Sequence, residues 1–282
     1  MKLAVASGKG GTGKTTIAVN LARVLAEEGP VQFIDCDVEE PNAHFFLKPS
    51  LDTEREVSIL VPVIDRVLCN GCGECVKACA FNAIAVLGHK ALVFAEICHG
   101  CGGCARVCPT KAITEQPNRL GVVSTGPAGN IFFVEGRIDV GTPLSVPVTK
   151  GARREIKEQD GIVILDAPPG TTCPVVAAVA GCDYVLLVTE PTPFGLNDLK
   201  LAVELVRELD IPHGVVINRA DIGDQGVEEF CRREGISIHL RIPFERQFAE
   251  TIAHGGLLVD AFPAWRPKFQ ALWHKIQEEV TV

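Results

Sequence analysis

The sequence is poor in aromatic residues, with only two Trp and one Tyr in 282 positions, and it has no surplus of positive charge. Its 27 Lys and Arg face 35 Asp and Glu, a formal net charge of −8. That balance gives no electrostatic reason to bind nucleic acid or an anionic membrane surface. No uncharged apolar stretch reaches the length of a membrane span, so a membrane role is not expected. The opening residues enter a glycine-rich loop directly, without the charged leader and apolar core of a signal peptide, and a cytoplasmic location is the expectation. What the chain does have is Val, Ile, Ala and Leu, within a hydrophobic share of 47%. That composition suits a mostly parallel sheet buried between helix layers. The length predicts one large α/β core with a compact extra module.

Apolar patterning predicts a strand over Lys2–Ala6, a loop over 8–15, a helix over 16–28 and a strand over 31–34 that runs into Asp35-Cys36-Asp37. Strand, glycine loop, helix and strand make a βαβ unit with a right-handed crossover. The alternation returns after Gly161, with strands over 162–165, Tyr184–Thr189, 214–218 and Ile238–Ile242 and helices near 174–180 and 196–209, and two helices follow. Strands over 121–125 and 131–136, turning through Gly126-Pro127-Ala128-Gly129, return to the main sheet.

Gly8-Lys9-Gly10-Gly11-Thr12-Gly13-Lys14-Thr15 fits G-x-x-x-x-G-K-T between a strand and a helix. Glycines let successive N–H groups turn toward phosphate oxygens, and the following helix start adds a favourable dipole. Lys14 is suited to neutralise the β and γ phosphates and the Thr15 hydroxyl to hold Mg²⁺, with Thr16 next in line at the phosphates. The expected ligand is a nucleotide with magnesium.

Between the two α/β stretches, residues 64–117 lose the strand–helix rhythm and contain an internal repeat. Cys69, Cys72, Cys75 and Cys79, followed by Ala83-Ile84, are echoed by Cys98, Cys101, Cys104 and Cys108, followed by Ala112-Ile113. Eight of the twelve cysteines therefore lie in two short clusters, a pattern that points to metal. Structural zinc also uses C-x-x-C pairs, but duplicated triple runs with a matching fourth cysteine favour iron–sulfur clusters.

The cysteine runs resemble those of two-cluster bacterial ferredoxins, with Ala80 where the first run would have proline. The resemblance implies two [4Fe-4S] clusters. Cluster one takes Cys69, Cys72, Cys75 and Cys108, and cluster two takes Cys98, Cys101, Cys104 and Cys79, because the fourth cysteine of each run crosses to the other cluster. The rest of the chain resembles the MinD/ParA family of P-loop ATPases. Its deviant motif, K-G-G-x-G-K-T, implies that Lys9 reaches across an ATP-dependent homodimer to the partner's nucleotide. The same resemblance implies that Asp37 orients or deprotonates the attacking water, that Asp166, ahead of Ala167-Pro168-Pro169-Gly170-Thr171, serves Mg²⁺ through water, and that Gly170 lies near the γ phosphate. It further implies that Asn218 reads adenine and that Pro243 flanks it, with Asp35 structural. Catalytic work would fall to Lys9, Lys14, Asp37 and Asp166.

The expected fold is thus an α/β, mostly parallel-sheet P-loop NTPase core, residues 1–63 and 118–282, with an inserted small α+β ferredoxin-like domain at 64–117. Cys36, Cys182 and Cys231 suit small buried thiols. Cys173 has the offset from Asp166 of a cluster ligand in the nitrogenase iron protein, a relative of the family, but with no second C-x-x-C partner to mark an interface site a structural or unassigned thiol is the expectation. Trp265, Phe269, Leu272, Trp273, Ile276 and Val280 are spaced for a core-packing helix rather than a membrane-binding one. Three outputs follow from the resemblance. Work in iron–sulfur or metal-cofactor assembly leads, since the switch sequence is similar to that of Mrp-type carriers, although the chain lacks their C-terminal C-x-x-C. ATP-gated electron transfer to a protein partner and MinD-like spatial positioning are the alternatives.

Overall fold

The computed structural model describes residues 1–157 and 161–281. In chain order its elements are β1 (Lys2–Ala6), α1 (Lys14–Leu25), β2 (Val31–Asp35), α2 (Ala43–Leu47), β3 (Thr53–Ile64), α3 (Glu74–Ala78), β4 (Ile84–Leu87), β5 (Lys90–Val93), α4 (Gly103–Val107), β6 (Ile113–Ala128) and β7 (Ile131–Ile138). There follow α5 (Val146–Arg153), β8 (Ile162–Asp166), α6 (Cys173–Val179), β9 (Tyr184–Thr189), α7 (Pro193–Glu208), β10 (His213–Asn218), α8 (Gly226–Glu234), β11 (Ile238–Ile242), α9 (Arg246–Ala253), α10 (Leu258–Ala261) and α11 (Arg266–Thr281).

Two compact units result. One contains Met1–Glu54, Val123–Arg137 and the described residues from Thr149 onward; the other contains Arg55–Val122 and Ile138–Val148. The second takes in residues 64–117 together with much of β3 and β6, because those strands run well past the cysteine segment on either side.

The main sheet has the order β11-β10-β9-β1-β8-β2-β7-β6-β3. From β11 to β7 neighbouring strands pair in parallel. β7 follows β6 after only two residues, too few for a parallel crossover, so this pair is antiparallel. Ser50 and Asp52 donate to the carbonyls of Pro127 and Thr125, so the chain entering β3 also runs antiparallel to β6. The expected mostly parallel P-loop architecture is therefore present, closed by an antiparallel edge.

Strands β8 and β9 read IVILD and YVLLVT, continuous apolar runs buried on both faces, as helix-covered parallel strands require. Leu3, Ile17, Leu21, Ile164 and Leu186 are at most 1% exposed, and Phe33 stacks on Phe133 at 5.9 Å. Burying each such side chain contributes about 1.5–3 kcal/mol. Helix α7 begins with Pro193 at its first turn and with the Thr192 hydroxyl accepting from Gly195 N at 3.0 Å, which satisfies a donor that would otherwise be orphaned. Helix α11 buries Phe269, Leu272, Trp273 and Ile276 in the core, as its spacing predicted. Its end is pinned by Tyr184, whose hydroxyl donates to Glu279 and lies 2.7 Å from His239 Nε2. No described helix is long and apolar enough to cross a membrane.

The second unit pairs β4 with β5 as an antiparallel hairpin and packs Cys75, Cys104, Ile84, Ala91 and Ile113 into a small core. A second small group joins Val61, Ala83 and Cys98.

Candidate functional site

The carboxyl ends of parallel strands are where such sheets bind ligands, and here they gather acidic groups. Asp166 ends β8 and is in register with Asp35 of β2 and with Val5 of β1, and Asp35 is in register with Glu135 of β7. The phosphate loop leaves β1 at this edge. Gly13 adopts φ +95°, a conformation that favours glycine, and a Cβ there would press on Asn218 Nδ2 at 2.6 Å. Lys14 opens α1 and is 6% exposed.

Thr15 Oγ1 donates to Asp166 Oδ2 at 2.5 Å. Among the described residues, Asp166 Oδ1 and Thr12 Oγ1 are buried without a hydrogen-bond partner. A buried acceptor left unpaired is costly, which marks this spot as made for a further group. A magnesium ion with its water shell beside a nucleotide phosphate fits that donor set. Burial raises the Asp166 carboxyl above the usual range, while Lys14 and the Thr15 hydrogen bond oppose the rise. Burial likewise pushes Asp37 up to about 6, with Lys14 again opposing. Asp35 is fully buried, and burial, with the Asp166 carboxylate beside it, raises its carboxyl well above the usual range; it accepts from the backbone N–H groups of Asp37, Asn42 and Ala43, so it shapes the loop that carries Asp37.

Beside these groups lies a cleft of about 480 Å³, whose lining does not include Thr12, Asp35 or Asp166. Gly10, Gly11, Gly13, Lys14, Thr15, Thr16, Asp37, Asn218 and Pro243 all line it. Gly170 is held beside it by donating to the Ser7 carbonyl at 3.0 Å, next to Pro169 on the wall. Asn218 Nδ2 donates to the Thr12 carbonyl at 2.9 Å and its Oδ1 accepts from Arg219 N. Each end of that amide keeps one further hydrogen-bonding position, enough to pair with a base edge. Gly8 and Lys9 sit apart from the lining: Lys9 Nζ lies 3.3 Å from Glu190 Oε2. The sequence reading did not single out Glu40, Asn42, Arg219, Phe244 or Glu190. Arg219 and Phe244 adjoin Asn218 and Pro243, so adjacency was a usable signal for those two.

In the other unit, the eight clustered cysteines divide between two cavities. Cys69, Cys72, Cys75 and Cys108 line one; Cys79, Cys98, Cys101 and Cys104 line the other. The local reason is repeated geometry. Gly71, Gly73, Gly100 and Gly102 all take positive φ, curling each run, and α3 and α4 then start at matching points. Ala83 N donates to Cys79 Sγ and Ala112 N to Cys108 Sγ, each at 3.3 Å. Among the described residues no three His, Cys, Asp or Glu side chains converge closely enough to hold one metal ion. Cys36, Cys182 and Cys231 are buried and Cys173 is exposed at the start of α6.

A parallel sheet with a glycine loop, lysine and threonine at the end of its first strand, and a buried aspartate on the neighbouring strand, defines a P-loop nucleotide-binding protein. The chain belongs to the CobQ/CobB/MinD/ParA nucleotide-binding domain family, whose model matches residues 3–259. Relatives include the uncharacterized protein MJ0579 of Methanocaldococcus jannaschii, 32% identical over 257 residues that cover 90% of each chain. The iron-sulfur cluster carrier protein of Pyrococcus horikoshii is 26% identical over 88% of this chain and 76% of its own. Among solved structures, the cell division ATPase MinD of Pyrococcus furiosus superposes with a TM-score of 0.61 at 19% identity, covering 98% of both chains. MinD of Pyrococcus horikoshii, solved with Mg-ADP, gives 0.60 at 18%, covering 98% of this chain and 95% of that one. These likenesses establish the fold and nucleotide binding as the family's common property.

Proposed function

We propose that this protein is an ATP-hydrolysing, ATP-dependent homodimeric switch that carries two [4Fe-4S] clusters and works in iron–sulfur or metal-cofactor assembly. The observation that carries the reading is the sorting of eight cysteines into two sets of four, each with three from one run and one from the other, in a chain that also has a P-loop cleft. Zinc bound through bonds of about 2.3 Å needs its four sulfurs clustered around a point. Thiols arranged around a cavity suit a larger cube, and the donors are all of the soft type that iron–sulfur clusters use. The clusters would supply one-electron chemistry or transferable iron and sulfide. The carrier protein among the relatives supports the assembly reading.

At the cleft, Lys14 and the loop N–H groups would bind the β and γ phosphates, and Thr15 and Asp166 would hold Mg²⁺, which would neutralise phosphate charge. Asp37, raised to about 6, is mostly ionised at neutral pH and can accept a proton from a positioned water. Lys9 supplies positive charge to the partner protomer's nucleotide. Complete four-thiol sets favour keeping a cluster over donating it, so ATP-gated electron transfer to a protein partner is the second reading.

The test is ATP turnover of anaerobically purified protein with clusters oxidised and reduced, together with electron paramagnetic resonance of the reduced clusters with and without ATP. A nucleotide-dependent signal or redox-dependent turnover is expected. If neither responds, with or without a candidate acceptor, a positioning ATPase of the MinD kind replaces both readings.

A further inference from the structure

Glu190 follows β9 and is 8% exposed, yet it meets two cations. Its Oε2 lies 3.3 Å from Lys9 Nζ, and its Oε1 accepts from Arg219 Nη1 at 2.7 Å. The two partners come from different parts of the nucleotide cleft. Lys9 belongs to the phosphate loop, whereas Arg219 follows Asn218 on the base side, lines the cleft and lies 6.0 Å over the Phe244 ring.

Tight packing brings these groups together. A Cβ on Gly8 would meet the Asp198 carbonyl oxygen of α7 at 2.2 Å, and one on Gly195 would meet the Glu190 carbonyl oxygen at 2.2 Å. The start of α7 is therefore pressed onto the loop and onto the Glu190 backbone. The Ser7 hydroxyl donates to the Lys9 carbonyl at 2.6 Å and fixes the turn that aims the lysine. The Lys9 side chain is still a third exposed, so its ammonium can swing away without dismantling the loop.

We propose that Glu190 is a positioning residue that keeps the Lys9 ammonium within its own protomer in the nucleotide-free chain, and that Arg219 compensates the Glu190 carboxylate when Lys9 leaves for the partner's nucleotide. The proposal rests on the reading of an ATP-dependent dimer. One ammonium cannot serve both a carboxylate in its own protomer and phosphates in another at full strength, so dimer formation breaks two Lys9–Glu190 pairs. A carboxylate this buried cannot be left bare, since an uncompensated buried charge is strongly destabilising. The shorter bond from Arg219 removes that obstacle. The partly exposed, longer Lys9 pair is then a modest threshold rather than a block.

The test uses the full chain with its clusters, saturating AMPPNP and Mg²⁺, and sedimentation over a range of protein concentrations. Glu190→Gln frees Lys9, and half-dimerisation is expected at a protein concentration about fivefold lower than in the wild type. Arg219→Ala leaves Glu190 dependent on Lys9 and moves it about as far the other way. A merely structural Glu190 would shift both variants in one direction. An unchanged or weaker E190Q dimer, or a tighter R219A dimer, overturns the proposal. If the wild type does not dimerise at all, the dimer reading fails separately. Holding of Lys9 is then judged on the nucleotide-free chain by its acetylation rate, read by mass spectrometry against exposed Lys90. A severalfold rise in E190Q supports the pairing, and an unchanged rate overturns it.

Discussion

In the sheet unit the fully buried side chains are Leu3, Ile34, Ile164, Leu186 and their neighbours, a continuous hydrocarbon core. In the cysteine unit Cys75, Cys98 and Cys104 take their place among the most buried groups, while Val67 and Leu87 remain 92% and 67% exposed. The difference teaches what holds each unit. One is sustained by apolar burial and could bind or lose a ligand without losing its fold; the other has too little core of its own and would draw stability from whatever its thiols bind.

Removing iron with a chelator under reducing conditions breaks that comparison most directly. Hydrogen exchange across residues 64–117 is expected to accelerate by about a hundredfold or more, with β1, β8 and β9 unchanged. Equal protection in both units would show that the cysteine unit folds without bound iron. The complementary insult is Lys14→Ala. Losing a cation buried against phosphate should weaken MgATP binding by about a hundredfold while the visible absorbance of the clusters stays as in the wild type.

Asp37→Asn sharpens the contrast within the sheet unit. Turnover should fall by about 10²–10⁴, with nucleotide binding changed only severalfold, as read with a fluorescent ATP analogue. Wild-type turnover should decline below pH about 6 as Asp37 takes up a proton. Stability runs the other way. A carboxyl raised in the folded state is penalised when ionised, so Asp37 destabilises the nucleotide-free chain above pH about 6, and the penalty fades as the pH falls toward about 4. Allowing for its partial exposure, Asp37→Asn should add about 1–2 kcal/mol at pH 7.5 and nothing near pH 4, measured by denaturant unfolding.

Gly13→Ala, at φ +95° and against Asn218, should cost about 1–3 kcal/mol and raise the KM for ATP. The smallest effect separates the cysteines. If the proposed cluster assignment holds, Cys173→Ser should leave iron content as it is, whereas Cys79→Ser should lose iron from cluster two and spare cluster one.

Much of the site was legible in the residues. A glycine loop between a strand and a helix is a local pattern, and Gly10, Gly11, Gly13, Lys14, Thr15 and Thr16 of that loop line the cleft, while Asp166 ends its strand after an apolar run. The strands over Lys2–Ala6 and Tyr184–Thr189 stand out because buried parallel strands are nearly continuous apolar runs, whereas the strand near Ile238–Ile242, IHLRI, shows only alternating apolar positions. Strand β3 and helices α2, α5 and α8 were not singled out. Residues 53–60 of β3 begin with three consecutive charged side chains, Glu54, Arg55 and Glu56, and are mostly exposed, and five-residue α2 has no room to show a period. Only two helices were expected after β11, because the short α10 merges with the turns on either side of it.

By itself the sequence determined the phosphate loop, the apolar strands and the two cysteine runs, since each depends on residues close together in the chain. Only the tertiary structure decided which distant residues face one another. Asp35 lies between Asp166 and Glu135, Thr15 reaches Asp166 across 151 positions, and Lys9 and Arg219 meet on Glu190. Those encounters follow from strand order and helix packing, which place side chains by the path of the whole backbone and leave no periodic mark on the segments that supply them.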